Sequence, residues 1–155
     1  MIYFIYLLAI FIFVAIDQIS KSIIVSTMKL SQKIVLIDNF FSITHVRNYG
    51  AGFSILQNAR LFLSVVSIVA ILVLTYMLIR SDRKEKALNV SYLFIISGAI
   101  GNLIDRLRNG YVVDFLDFII FGYDYPVFNI ADCFITVGCF MMIIIVLLEN
   151  KRAKN

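Results

Sequence analysis

Two aspartates stand where a carboxylate is expensive. Asp132 lies in an apolar run from about Val127 to Leu148, with Asn129 three residues before it and Thr136 four after. On a helix these three form a polar stripe along one face. No Lys or Arg follows Asp132 until Lys151, so it has no local counter-charge. A second carboxylate from the preceding loop would let it hold a shared proton. Asp114 supplies one candidate, because it is embedded in the apolar segment VVDFLDF just upstream. Two aspartates holding one proton form an acid–base pair: one activates water, the other protonates a leaving group. Such a pair can hydrolyse a peptide bond without a metal or a nucleophilic side chain. An ion or proton relay is the rival reading of the same spacing.

Other polar residues accompany them. Asp17 and Lys21 are spaced to pair on one helix face. Asn102 and Arg106 share that spacing, with Asp105 between them. Arg106 either faces a site or extends to lipid headgroups. Asn48 and Gly50 sit in a segment between two apolar runs.

The elements that must position these residues are membrane spans. The 155 residues are 61% hydrophobic and 15% charged, against roughly half and a quarter in soluble domains. One short domain has too little interior to bury that much apolar surface, so the excess faces lipid. This composition excludes a soluble enzyme, a disulfide scaffold and a disordered tail. The formal charge of +4 is scattered or flanks apolar runs, which fits membrane topology and not nucleic acid.

Four stretches suit the roughly 20 residues of a spanning helix: about 2–25, 61–79, 87–104 and 127–148. The first lacks the basic start and small-residue cleavage site of a secretory signal and is expected to be a mature span. The loop 80–86 holds four basic residues, and the tail 149–155 holds Lys151, Arg152 and Lys154. Both belong on the cytoplasmic side. The termini are then cytoplasmic, and segments of about 26–60 and 105–126 lie outside. Asp17, Lys21, Asn102, Asp105, Arg106, Asp114, Asn129 and Asp132 all gather toward that outer face.

The expected fold is a mainly α, four-helix transmembrane bundle in a single domain spanning 1–155. Alternation between Lys33 and Arg47 predicts short strands in the first outer segment. The second opens on an Asn-Gly turn signal and predicts a strand followed by an interfacial loop or helix. Its aromatic residues suit the bilayer surface and a lid over the site. Asp117 and Asp124 are expected to be solvated carboxylates there. Gly98 and Gly101 predict close helix packing. Cys133 and Cys139, six residues apart on one run, would lie about 9 Å apart on a helix, beyond the roughly 7 Å limit of a disulfide. They read as packing residues. His45 has no Cys/His partner at metal spacing.

The motifs DQISK (17–21), NYGAGF (48–53), GAIGNLIDR (98–106), VVDFLDF (112–118) and FNIAD (128–132) resemble, in order and placement, those of the lipoprotein signal peptidases. These signal peptidase II enzymes are aspartyl proteases of the bacterial inner membrane. The resemblance implies that Asp114 and Asp132 are the catalytic carboxylates. It implies that Asn48, Gly50, Asn102, Arg106 and Asn129 support the site or bind substrate, and that Asp17, Lys21 and Asp105 are structural or supporting. It implies no metal and no cofactor. The implied substrate is a prolipoprotein whose cysteine carries a diacylglyceryl group, cut just before that cysteine by a monomeric enzyme in contact with membrane lipid. Ser97 and Cys133 depart from the family pattern, where glycine and serine are common. A proton-coupled transporter and a structural membrane protein are the competing classes. The first would place ionisable groups at mid-membrane; the second would need no aspartate in span four.

Overall fold

The computed structural model describes residues 2–50 and 56–152, with side chains described through residue 149. Residues 51–53 of the NYGAGF motif, Lys154 and the side chains of Lys151 and Arg152 lie outside the described residues. Helices α1 (Ile2–Thr27), α2 (Arg60–Arg80), α3 (Lys86–Asn109) and α4 (Ile130–Arg152) are joined by strands β1 (Lys33–Ile37), β2 (Phe41–Asn48), β3 (Val112–Ile120) and β4 (Tyr123–Asp124). All four helices are long and apolar enough to cross a membrane. The protein is mainly helical, with one small antiparallel sheet in the order β1-β2-β3-β4.

Helix α3 is the centre of the bundle and packs against the other three helices. It is the least apolar of the four, because its neighbours and not lipid surround it. Ser91, Tyr92, Ile96, Ser97 and Asn102 are all buried along it. Apolar faces of α1, α2 and α4 point outward, including Phe4, Phe11, Leu61, Leu72, Phe140 and Leu147. In lipid those faces cost nothing, and helix association rests on close packing and internal polar bonds. The glycines of α3 serve that packing. A side chain at Gly98 would strike the Ala131 carbonyl and Ile135 on α4, and one at Gly101 would strike the Asp17 carboxylate on α1.

The apolar pattern misplaces one helix end. The third span was expected to stop near residue 104, yet α3 continues to Asn109. Hydropathy marks the edge of the membrane; the helix runs on because Asp105 and Arg106 find partners inside the protein. Gly110 then ends it in the left-handed region (φ 84°), its N–H donating to the Arg106 carbonyl. The Asn-Gly pair is therefore a helix stop and not a hairpin turn. The fourth helix likewise begins at Ile130, three residues later than expected.

The first outer segment forms the expected strands. In the second, residues 112–124 form β3 and β4, so the interfacial helix is not realised there. The apolar alternation of VVDFLDFII instead completes a sheet, with β3 pairing along β2. Val112, Val113, Asp114 and Phe115 are buried at one end of β3, whereas Phe121 and Tyr123 at the far end are exposed. Asp117 is buried too, pairing with Lys33 at 2.9 Å and accepting from Thr44, whereas Asp124 is exposed as expected.

Candidate active site

Two elements bring Asp114 and Asp132 to one place. Val112 and Asp114 share a face of β3 by its two-residue period, and Asn48 on β2 lies opposite Val112. Asn48 is thus the diagonal neighbour of Asp114 and donates through Nδ2 to Asp114 Oδ2 at 2.9 Å. Asp132 is fixed by the start of α4. The Asn129 side chain accepts from the Asp132 backbone N–H at 3.0 Å, and Asp132 Oδ2 accepts from the Asn129 backbone N–H at 3.1 Å. This reciprocal capping box locks the carboxylate against the helix N-terminus.

Two asparagine amides join the aspartates. Asn129 Nδ2 donates to Asp114 Oδ1 at 2.7 Å and to Asn102 Oδ1 at 3.1 Å. Asn102 Nδ2 donates to Asp132 Oδ1 at 2.8 Å. Both aspartates line a cavity of about 870 Å³. Arg47, Asn48, Asn102 and Arg106 share its polar side. Phe118, Tyr125, Phe128, Ile135 and Val137 form an apolar side that continues onto α4. Asp114 is only 2% exposed. Burial first, and the charge of Asp132 second, push its pKa up to about 7, against the hydrogen bonds of Asn48 and Asn129 and the charge of Lys21.

The remaining predicted residues form a second layer. Lys21 and Asp17 pair at 2.9 Å, and Lys21 also reaches Asp105 at 3.2 Å. The cation from α1 is thus taken up by Asp17 and Asp105 and reaches Asp132 only through Asn102. Asp17 Oδ1 accepts from the Ala131 N–H at 3.0 Å, and Asp105 Oδ2 from the Val113 N–H at 3.1 Å. Each of these carboxylates holds the residue just before one of the two aspartates. Arg106 does not extend to lipid headgroups. It donates to the Gly50 carbonyl at 3.1 Å, while the Gly50 N–H donates to Asn48 Oδ1 at 2.9 Å. Cys133 lines the cavity beside Asp132, and both cysteines are free thiols. His45 is buried away from these residues, its Nδ1 on the Met28 carbonyl at 3.0 Å.

Gln18 escaped the sequence reading. Its amide donates to Asp17 at 3.0 Å, to the Gly101 carbonyl at 3.1 Å and to Asp105 at 3.1 Å, tying α1 to α3. The only local signal was its position beside Asp17, and a neutral amide in a helix carries little information. Arg47 was also missed. It lines the cavity, with its guanidinium 4.7 Å from the centre of the Tyr111 ring.

A family model described as signal peptidase (SPase) II matches residues 9–148. Two solved structures, each described as a bacterial membrane enzyme obtained by the in meso method, are similar along nearly their whole length. The first, at 2.3 Å resolution, is 39% identical, with a TM-score of 0.89 over 97% of this chain and 91% of that one. The second, at 1.9 Å, is 39% identical, with a TM-score of 0.83 over 92% of each chain.

Proposed function

The chain belongs to the signal peptidase II family, membrane proteases of lipoprotein processing, and from that premise we propose that it removes the signal peptide from diacylglyceryl-modified prolipoproteins by means of Asp114 and Asp132. The carrying observation is that both carboxyls open onto one cavity and are bridged by the amides of Asn102 and Asn129. With a pKa of about 7, Asp114 holds a proton for much of the time at neutral pH. Asp132, accepting one bond on each oxygen, suits the ionised role.

The reaction follows from that division. The ionised carboxylate takes a proton from water, whose oxygen attacks the scissile carbonyl. The protonated carboxyl gives its proton to the departing nitrogen as the C–N bond breaks. The products are a carboxyl-ended signal peptide and a lipidated cysteine with a free amine. The apolar side of the cavity accepts the signal peptide beside Asp132. Arg106 and Asn48, held together through Gly50, brace the rim. No metal or cofactor enters these steps.

In this reading the protein is one integral domain of the bacterial inner membrane, working as a monomer. The basic loop 80–86 and both termini are cytoplasmic and the cavity faces outward, at the depth where a lipidated cysteine presents its peptide bond. The test is cleavage by the purified protein of a diacylglyceryl-modified prolipoprotein and of its unmodified form. Release of signal peptide from the modified form alone is expected; equal release from both removes the lipid requirement, and release from neither removes the protease reading.

A further inference from the structure

The second layer has a single centre. Lys21 is 3% exposed, and its ammonium donates to three acceptors: Asp17 Oδ2, Asp105 Oδ2 and Asn102 Oδ1, the last at 2.9 Å. An ammonium has three protons and no lone pair, so every proton is used and only oxygen can face it. That requirement reaches Asn102. A reversed amide would set NH₂ against the ammonium and against Asn129 Nδ2, and would turn a carbonyl oxygen toward Asp132. With Lys21 in place, the Asn102 oxygen must take the Lys21 and Asn129 protons, and its NH₂ must point at Asp132.

We infer that Lys21 is a positioning residue that sets the polarity of the amide relay between Asp114 and Asp132, although it touches neither. It acts along three lines. Through Asn102 it makes Asp132 an acceptor and frees Asn129 to donate to Asp114. Through Asp17 it holds Ala131, and through Asp105 it holds Val113, the residues preceding the two aspartates. The charged groups around it come from every packed element: Asp17 on α1, Asp105 and Arg106 on α3, Asp114 on β3 and Asp132 on α4. The inference rests on the aspartate-pair reading above.

The test compares wild type, Lys21→Met, Asp105→Asn and the combined Lys21→Met/Asp105→Asn, in which removal of one cation and one anion keeps the charge balance. Thermal stability in detergent and cleavage of a diacylglyceryl-modified prolipoprotein are measured for each. The expected result is a combined variant that folds, with KM within about threefold of Asp105→Asn and kcat about 100-fold lower, as for other misplaced reacting groups. The acid limb of its pH profile moves to higher pH, because a released Asn102 can turn its oxygen to Asp132, a bond only the protonated carboxyl makes. A folded variant with kcat and pH profile like those of Asp105→Asn overturns the inference. So does failure of both Lys21 variants to fold, which makes Lys21 a structural residue only. If wild type itself leaves the substrate uncut, the protease reading has failed instead, and the two outcomes are separate.

Discussion

The two ends of the bundle are built by opposite rules. Where α1 and α3 finish and α4 begins, nine polar or charged side chains among the described residues, from Asp17 to Asp132, are tied by bonds of 2.7–3.2 Å. Where α2 finishes and α1 and α3 begin, the interior is Leu78, Tyr92, Leu93 and Ile96, with Tyr6, Ile10 and Ile71 packed against them. The same helices run through both ends, so helix propensity does not explain the difference. In lipid, apolar packing is enough to keep helices together, and a buried charge persists only where it is fully partnered. The polar end is therefore the costly one, and the chemistry is proposed there.

The largest expected effect breaks the polar end outright. Asp114→Asn and Asp132→Asn should each lower kcat by at least about 10³-fold while the protein still inserts and melts near wild type, measured by cleavage and thermal unfolding. Near-normal turnover in either removes the pair. Next comes the packing that delivers the pair. Gly98→Val drives a side chain into the Ala131 carbonyl and Ile135, so α4 parts from α3 and stability and activity fall together.

A third prediction uses pH. Asp114 is raised to about 7 in the fold, against 3.8 as its ordinary value. Its protonation therefore favours the native state: that contribution is complete below the ordinary value and is lost as pH rises through about 7. Wild type should lose melting temperature across that window, and Asp114→Asn should lose less. Asp117 has the opposite sign. Burial pushes its pKa up, but the Thr44 hydroxyl and the Lys33 ammonium outweigh burial and hold it below the usual range. Its stabilisation is present above the ordinary value and lost as pH falls through the folded one. Lys33 is 43% exposed, so Lys33→Met should cost under about 1 kcal/mol.

At the apolar end the contrast should invert. Ile96→Ala, at 1% exposure, is expected to cost about 2 kcal/mol or more in stability with kcat unchanged. A large kcat effect there would mean that the two ends are not separable.

Composition made the spans legible, and cost made Asp132 legible: a carboxylate with no neighbouring cation stands out in an apolar run. What was not legible depended on contacts distant in sequence. Lys21 and Asp17 read correctly as an ion pair on one helix, but nothing in their spacing says that they also hold Asp105, Asn102 and Ala131. Asp117 looked solvated because Lys33, its partner, lies 84 residues away on another strand. The second outer segment is as apolar as an interfacial helix, and only the presence of β2 beside it makes it a strand.

The central claim is that Asp114 and Asp132 hold one proton between them at neutral pH. Infrared titration of the protonated carboxyl stretch, in wild type and in Asp114→Asn, reads that proton directly. A band that bleaches with a midpoint of about 7 in wild type and is missing from Asp114→Asn is the predicted result. A wild-type protein with no carboxyl titrating near neutrality, or one whose band survives in Asp114→Asn, would contradict it.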